Sequence, residues 1–516
     1  MIQNPILRGF CPDPSIVRVG RDYFIAVSTF EWWPGVRIYH STDLEHFQQL
    51  PSPLNRAEQL SLVGNPDSGG VWAPDLSFDG KRFWLVYTDV KTRNGGLFNT
   101  HNYLVRTEDI RSGVWSAPVY LNSTGFDPSI LHDTDGKMYL VNMVNGFKGV
   151  LVQEYDPEKE CLVGEAKNVY PGTGRDFTEG PHIYHIGDWY YLMMAEGGTA
   201  YEHCETMARA KSIWGPYEAD PENPVLTSEM ENEHALQKCG HADLVQTQTG
   251  EWYLVHLCSR PPKGTKLSVL GRETALQKVC WNEEGWLRLS CGGRYAQRET
   301  KEPEGLEAMA EIPVKDKEDF DGIAVPGAEF SSLRIPAEGY TSLTERPGYL
   351  RMYGQESLNS RFRVSIVARR QTEYHCMAET ALEFCPECPE QAAGLAYLYD
   401  TRNFFLLLKT ADETGRPVLV LLKSDRGNVT GEAEIPCPET DGIVYLRAET
   451  FDSGLKVRFL YSADGEQYAV LKEETTEILT DEHCIGFTGA HFGMYCHDMT
   501  GRRKAADFDY FRYRVL

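Results

Sequence analysis

The 516-residue sequence has no long hydrophobic segment, and its negative charges outnumber its positive ones. Nothing approaches the roughly 18 consecutive apolar residues that identify a transmembrane helix, so we expect no membrane span. Lys and Arg total 51 against 75 Asp and Glu, a formal net charge of −24. Because such a chain repels phosphate backbones, we expect no nucleic-acid partner. Residues 1–9 lack a basic segment followed by an apolar one, so we predict no signal peptide and a cytoplasmic location.

The cysteines show neither a disulfide framework nor a set of zinc ligands. Their number, 13, is odd and most are isolated in the sequence, which favours reduced thiols. One cluster combines His375 and Cys376 with Cys385 and Cys388. Adjacent strand residues point to opposite faces, and a single Cys-x-x-Cys pair supplies too few ligands. We therefore predict no metal-binding residues.

Short aromatic and β-branched segments alternate with Gly and Asp turns, which is typical of an all-β protein. Five segments repeat a short motif, an apolar anchor, a turn and an aromatic strand. The anchors are Ile16, Leu76, Ile130, Ile183 and Leu244, spaced 53 to 61 residues apart. A period above about 50 residues with several strands per unit indicates propeller blades. We predict a five-bladed β-propeller over residues 1–298.

The repeat stops before the last 200 or so residues, which predict a second domain. Residues 299–319 are rich in Glu, Lys and Pro and are interpreted as a linker. New strand-like segments follow, among them 362–367 (FRVSIV) and 404–408 (FFLLL). We predict that residues 320–516 form an antiparallel β-sandwich.

Carboxylic acids recur at corresponding places in the repeat. Three or four residues before the anchors stand Asp13, Ala73, Asp127, Glu179 and His241. The inner strands of a propeller line its central channel, so these side chains should meet on the axis. Turn capping would explain one Asp-Pro but not three acids, which avoid burial unless they are paired or functional.

Three acids on one axis suggest glycoside hydrolysis. That reaction needs one carboxyl to protonate the leaving oxygen and another group to activate water or attack the sugar. A third carboxylate would raise the pKa of the acid and keep it protonated. Aromatic side chains such as Phe30, Trp32, Trp33 and Trp72 offer apolar faces for sugar C–H groups, although packing between blades would equally account for any one of them.

Several segments carry a family resemblance. They are 4–15 (NPILRGFCPDPS), 28–36 (STFEWWPGV), 72–75 (WAPD), 125–129 (GFDPS), 178–182 (TEGPH), 195–199 (AEGGT), 271–274 (GRET), 342–351 (SLTERPGYLR) and 506–511 (ADFDYF). In this order they resemble the family-43 glycoside hydrolases, and within them the two-domain β-xylosidases with a C-terminal β-sandwich. The resemblance covers nearly the whole chain.

The resemblance implies roles for individual residues. Asp13 would be the general base, Glu179 the general acid and Asp127 the residue that tunes and orients Glu179, in a reaction that inverts the anomeric carbon and requires no cofactor. Arg272 would bind sugar hydroxyls, with a surface ion pair as the alternative. The other implied pocket residues are Phe30, Trp72, Ala73 and Thr199. His241 would be a hydrogen-bonded channel histidine, or would lie close to a bound water or calcium ion.

Two segments depart from the family pattern. Residues 141–147 (VNMVNGF) lack a Trp that relatives often carry, and Asn145 lies in that segment. His491 occupies a place near which relatives have a Phe that reaches across to close the pocket, so we include His491 among the expected substrate-binding residues. Both changes bear on specificity and leave the three acids unchanged.

We predict an exo-acting hydrolase that releases terminal β-D-xylose from β-1,4-xylooligosaccharides. The close alternative is an α-L-arabinofuranosidase, or an enzyme with both activities. A sugar-binding propeller without catalysis and a protein-interaction scaffold are alternatives of other classes. The expected partners are xylooligosaccharide or arabinoside substrates, and the resemblance implies a homodimer or homotetramer.

Overall fold

The computed structural model describes residues 1–94, 97–229, 236–310, 315–323, 326–439 and 442–516. Over these residues nearly all of the regular secondary structure is β-strand, with one short α-helix at Asp481–Cys484 and 3-10 turns at Ala337–Gly339 and Glu477–Leu479. None of the helices described here is long and apolar enough to cross a membrane. The all-β fold class is confirmed.

The N-terminal part forms five antiparallel sheets in chain order, so the predicted five-bladed propeller is confirmed. Blade 1 comprises Ser15–Val19, Asp22–Val27, Arg37–Ser41 and Gln48–Leu50; blade 2 comprises Gly70–Phe78, Phe83–Asn94, Leu97–Thr107 and Val119–Asn122. Blade 3 comprises Gly125–His132, Met138–Val144, Val150–Asp156 and Cys161–Tyr170; blade 4 comprises Glu179–Ile186, Trp189–Glu196, Cys204–Ala210, Glu218–Ala219 and Leu226–Thr227. Blade 5 comprises Gln237–Gln246, Trp252–Ser259, Glu273–Trp281 and Leu287–Leu289.

The apolar anchors hold the blades together. All five anchors lie on inner strands and are buried. Burying a side chain of this size stabilises the fold by about 1.5–3 kcal/mol. The strand Ile2–Gln3 pairs with Glu299–Thr300, which ties the start of the chain to the segment that follows blade 5.

The C-terminal part is a β-sandwich of two antiparallel sheets. One contains Lys317–Glu318, Thr341–Ser342, Leu350–Tyr353, Ala505–Val515, Cys376–Glu383, Ile443–Phe451, Lys456–Ser462 and Ala469–Thr475. The other contains Asn428–Pro436, Pro417–Asp425, Phe404–Ala411, Gln391–Leu398, His491–Asp498, Ser365–Arg370, Phe330–Leu333 and Trp32–Trp33. The predicted linker 299–319 thus begins and ends in strand pairs, and its residues 311–314 lie outside the described residues.

The propeller and the sandwich share a sheet and a buried interface. The propeller strand Trp32–Trp33 pairs with Phe330–Leu333 at the edge of a sandwich sheet. Buried ion pairs add to this contact: Lys238 Nζ lies 3.1 Å from Asp481 Oδ2, and Arg334 Nη2 lies 2.7 Å from Asp67 Oδ1. Because these contacts join segments about 240 to 300 residues apart in sequence, they fix the sandwich against the propeller.

Candidate active site

A left-handed residue recurs where each inner strand of the propeller begins or bends. The residues are Asp13, Ala73, Asp127, Gly180 and His241, with φ between 22° and 55°. In blades 2 to 5 the strand register shifts at this motif. A non-glycine residue at positive φ costs about 1–3 kcal/mol and persists where the surroundings over-determine it, commonly at functional sites.

Blade 4 differs from the predicted alignment of the repeat by one residue. Its left-handed position is Gly180, and Glu179 precedes it. A Cβ atom on Gly180 would lie 3.0 Å from Cε1 of His241, closer than such atoms normally approach. Glycine therefore lets the blade 4 backbone pass close to His241 while Glu179 occupies the adjacent position.

The three acids line one cavity of about 480 Å³. Its lining also includes Phe30, Trp72, Thr199, His241 and Arg272, all named from the sequence. Side chains that lie far apart along the chain are thus brought together where the inner strands meet. A cavity of this size falls in the range of about 300–1,000 Å³ that small-molecule sites occupy.

Two residues named from the sequence do not line the cavity. Ala73 lies buried at the register shift of blade 2. His491 is fully buried and stacks on Trp32 at a centroid distance of 3.9 Å. Its Nδ1 lies 2.8 Å from the carbonyl oxygen of Gly489. The structure therefore places Phe487 of the same segment, and not His491, in the lining of the cavity.

Sequence reasoning missed most of the aromatic lining. The additional residues are Phe98, Phe126, Phe147, Phe177 and Phe487. Trp72 makes edge-to-face contacts with Phe126 at 5.4 Å and with Phe487 at 5.6 Å. Position next to an acid motif was an available signal for Phe126, which directly precedes Asp127. In segment 141–147, which departs from the family pattern, Phe147 lines the cavity but Asn145 does not. The Nδ2 atom of Asn145 lies 3.5 Å from the carbonyl oxygen of Ser123.

Asp13 is held by donors on both of its carboxylate oxygens. Ser28 Oγ donates to Oδ2 at 2.6 Å, and Arg272 Nη1 lies 3.3 Å from Oδ1. Arg272 also donates through Nη2 to the carbonyl oxygen of Phe487 at 2.9 Å. Burial lowers the pKa of the nearby His241 to about 4, so its ring is neutral near pH 7. These contacts fix the Asp13 carboxylate at the wall of the cavity.

Glu179 is in a different environment. It is buried, and its Oε1 has no hydrogen-bond partner among the described residues. Burial, followed by the nearby charges of Asp127 and Asp13, raises the pKa of Glu179 well above its usual value. Burial and the Asp13 charge also raise the pKa of Asp127, whereas the hydrogen bond that Gly180 N donates to Asp127 Oδ2 at 3.0 Å favours its charged form. Glu179 can therefore carry a proton near neutral pH.

Replacing Asp127 with Asn should shift the alkaline limb of the activity profile to lower pH. The substitution removes a negative charge that favours the protonated form of Glu179, so Glu179 should lose its proton at lower pH. The measurement is kcat/KM against pH on an unactivated disaccharide. Glu165→Gln, on the exposed outer strand of the same blade, is the matched control. An unchanged alkaline limb in Asp127→Asn would contradict the tuning role.

A second group of titratable side chains lies near the hub. Asp75, His182 and Asp243 are buried or nearly so, and their candidate ligand atoms lie within 4.8 Å of one another. Both carboxylates already link blades. Ile130 N donates to Asp75 Oδ2 at 2.9 Å, and Ile16 N donates to Asp243 Oδ2 at 2.6 Å.

These groups do not match a calcium site built from protein atoms. Calcium takes about six to eight oxygen ligands, whereas the hub cluster offers two hydrogen-bonded carboxylates and one imidazole. His241 is not part of that cluster, and its Nδ1 lies 4.0 Å from Asp13 Oδ1. The hub acids therefore act first as links between blades.

Comparisons with known proteins agree with this geometry. Residues 2–287 match the model of the glycosyl hydrolases family 43, and residues 317–514 match the beta xylosidase C-terminal concanavalin A-like domain. The Beta-xylosidase of Bacillus subtilis (strain 168) is 45% identical, over 99% of both chains. Xylosidase/arabinosidase 43B of Humicola insolens is 42% identical, over 100% of this chain and 98% of its own.

A solved structure extends the similarity to the whole fold. The xylan beta-1,4-xylosidase from Bacillus Halodurans C-125 is 47% identical and superposes with a TM-score of 0.95 over 100% of both chains. The sequence and structural matches thus cover propeller and sandwich together. The chain therefore belongs to glycosyl hydrolases family 43.

Proposed function

We propose that the protein is an inverting exo-β-xylosidase that releases terminal D-xylose from β-1,4-xylooligosaccharides. Its membership of the family makes it a glycoside hydrolase, and several relatives over its full length carry the name β-xylosidase. The observation that carries the proposal is the contrast between two carboxyls of one cavity. Asp13 is held by Ser28 and Arg272, whereas Glu179 is buried with a raised pKa and a free oxygen.

The reaction uses this contrast in one displacement. Asp13 accepts a proton from a water molecule as the water oxygen bonds to the anomeric carbon. Glu179 gives its proton to the glycosidic oxygen as the bond between that oxygen and the anomeric carbon breaks. The water enters on the face opposite the leaving group, so a β-xyloside yields α-xylose. Asp127 holds the proton on Glu179 before the reaction, through the repulsion of like charges.

The cavity walls suit one terminal sugar. The aromatic rings of Phe30, Trp72 and Phe126 present apolar faces to sugar C–H groups. The Arg272 guanidinium lies over the rings of Phe30 and Phe487 at 5.6 and 5.1 Å from their centroids. Its Nη1 and Nη2 each carry a second N–H besides the one that bonds Asp13 or Phe487, so a sugar hydroxyl can accept a hydrogen bond from them.

Arabinofuranosidase activity is the second candidate, because one full-length relative is named a xylosidase/arabinosidase and another a non-reducing end α-L-arabinofuranosidase. We expect kcat/KM on 4-nitrophenyl β-D-xylopyranoside to exceed that on 4-nitrophenyl α-L-arabinofuranoside. Xylobiose hydrolysis followed by NMR of the first-formed anomer tests inversion in the same enzyme. A higher rate on the arabinoside would reverse the substrate assignment, and first-formed β-xylose would exclude inversion.

The proposed reaction uses no cofactor. A calcium ion near His241, as the resemblance suggested, would have to take most of its ligands from water. We therefore expect activity on xylobiose to survive dialysis against EDTA within about twofold, a difference too small to indicate a required ion. A loss of activity that added calcium restores would instead place a cation in the working site.

We also propose that the protein is located in the cytoplasm. A cytoplasmic enzyme of this kind would act on short imported oligosaccharides. We also propose a homodimer or homotetramer, which light scattering of the purified protein would measure.

A further inference from the structure

A second cavity, of about 250 Å³, adjoins the catalytic one between the propeller and the sandwich. Arg93 of blade 2 lines both cavities. The loop 485–487 also joins them, since Ile485 lines the second cavity and Phe487 lines the catalytic one. Ser68, on the wall of the second cavity, accepts a hydrogen bond from Phe487 N at 3.0 Å. The two cavities are therefore neighbours that share Arg93.

Four arginines line the second cavity, in a chain whose formal net charge is −24. They are Arg93 from the propeller and Arg361, Arg402 and Arg426 from the sandwich, and we call the cavity the arginine cleft. Arg361, Arg402 and Arg426 are exposed to solvent. So strong a local excess of positive charge in an acidic protein attracts anions.

The acids of the cleft do not neutralise these arginines. Asp67 is bonded to Arg334 at 2.7 Å and accepts from Thr401 Oγ1 at 2.7 Å. Asp400 accepts from backbone N–H groups, and burial together with the Asp67 charge raises its pKa to about 6. Both acids are thus engaged with groups other than the four guanidinium groups.

Within the described residues, none of the four guanidinium groups has a carboxylate partner. Arg402 Nη2 donates to the carbonyl oxygen of Arg426 at 2.9 Å, and Arg426 Nη2 lies 3.4 Å from that of His483. Arg93 lies over the ring of Phe487, 4.3 Å from its centroid. An arginine presents five N–H donors in a rigid fork, so most of these donors remain available to a ligand.

We propose that the arginine cleft binds a carboxylate on the leaving-group side of the substrate, so that acidic xylooligosaccharides are preferred over neutral ones. This inference rests on the proposed function. If the terminal xylose lies at Asp13 and Glu179, a sugar chain that continues on the Arg93 side of the catalytic cavity reaches the arginine cleft, because Arg93 lines both cavities. Sugars become anionic most simply by oxidation of a terminal carbon to a carboxylate. A guanidinium fork matches that planar group with two parallel hydrogen bonds.

The test compares kcat/KM for matched substrates with the full-length enzyme at low ionic strength. Xylobionate, whose reducing end is oxidised to a carboxylate, is paired with the neutral alditol xylobiitol. A xylotriose that carries glucuronic acid on an internal residue is paired with plain xylotriose. We expect the acidic member of at least one pair to be preferred about tenfold, the order expected for one hydrogen-bonded charge, with the preference falling as salt rises. The responding pair identifies where the carboxylate is carried.

Charge variants test whether the cleft causes the preference. In Arg361→Gln/Arg402→Gln the ratio of acidic to neutral kcat/KM should fall toward one. Arg21→Gln, whose exposed arginine pairs with Glu307 on the propeller surface, should keep the wild-type ratio. Equal rates within both pairs for the wild type, or an unchanged ratio in the double variant, would overturn the inference. Turnover of xylobiose distinguishes a failure of this inference from a failure of the proposed function. An enzyme that does not hydrolyse xylobiose contradicts the proposed function itself.

Discussion

Glu179→Gln is expected to lower kcat/KM on xylobiose by about 10²–10⁴-fold, the usual contribution of a positioned general acid. Gln keeps the shape of the side chain but has no proton to transfer to the leaving oxygen. Nitrophenolate leaves without protonation, so hydrolysis of 4-nitrophenyl β-D-xyloside should fall much less. The measurement is the ratio of the two losses, taken from initial rates on both substrates.

The same variant should also lose the alkaline limb of its pH profile on xylobiose. That limb reports deprotonation of the acid, whose pKa is raised by burial and by Asp127. Glu218→Gln, on a short outer strand of the same blade, is the matched control and should retain the limb. Equal losses on xylobiose and on the nitrophenyl substrate would show that Glu179 is not the proton donor.

Asp13→Asn is expected to cost about 10²–10⁴-fold on both substrates, which corresponds to about 2.7–5.4 kcal/mol of activation free energy. Water must be activated whichever group leaves, so a good leaving group should not rescue this variant. Asn can still accept the hydrogen bond from Ser28 Oγ, and the cavity should keep its shape. Initial rates on xylobiose and on the nitrophenyl xyloside measure the effect.

Product binding provides the control for Asp13→Asn. Titration with xylose, followed by tryptophan fluorescence, should give a Kd within a few-fold of the wild type, because Trp72 and the aromatic walls are unchanged. A variant that binds xylose but does not turn over would also separate catalysis from simple sugar binding. Near-normal rates in Asp13→Asn would refute its role as the general base.

The fold could be predicted because the repeat is strong in the sequence. Anchors such as Ile16 and Leu76 are buried at a nearly constant spacing, and each precedes a turn and an aromatic strand. That pattern determines the number of blades and places the inner strands on the axis. The alignment of the three acids between blades was predicted only to within one residue. In blade 4 the left-handed residue that corresponds to Asp13 and Asp127 is Gly180, and Glu179 precedes it.

The cavity walls could not be predicted in the same way. The resemblance directed attention to His491, but the segment turns so that His491 stacks on Trp32 and Phe487 reaches the cavity. The arginine cleft was missed entirely, since Arg93 and Arg402 are more than 300 residues apart in the sequence. Contacts between two domains depend on how they dock, and no local pattern encodes that docking.

The position of Phe487 has a consequence for the order of events during synthesis. Domains generally fold as they leave the ribosome, starting from the N-terminus. The three acids emerge early, but the ring that completes their cavity lies 29 residues from the end of the chain described here. In a nascent propeller the three acids thus line a cavity that still lacks Phe487. The site becomes complete only when the last strands of the sandwich dock.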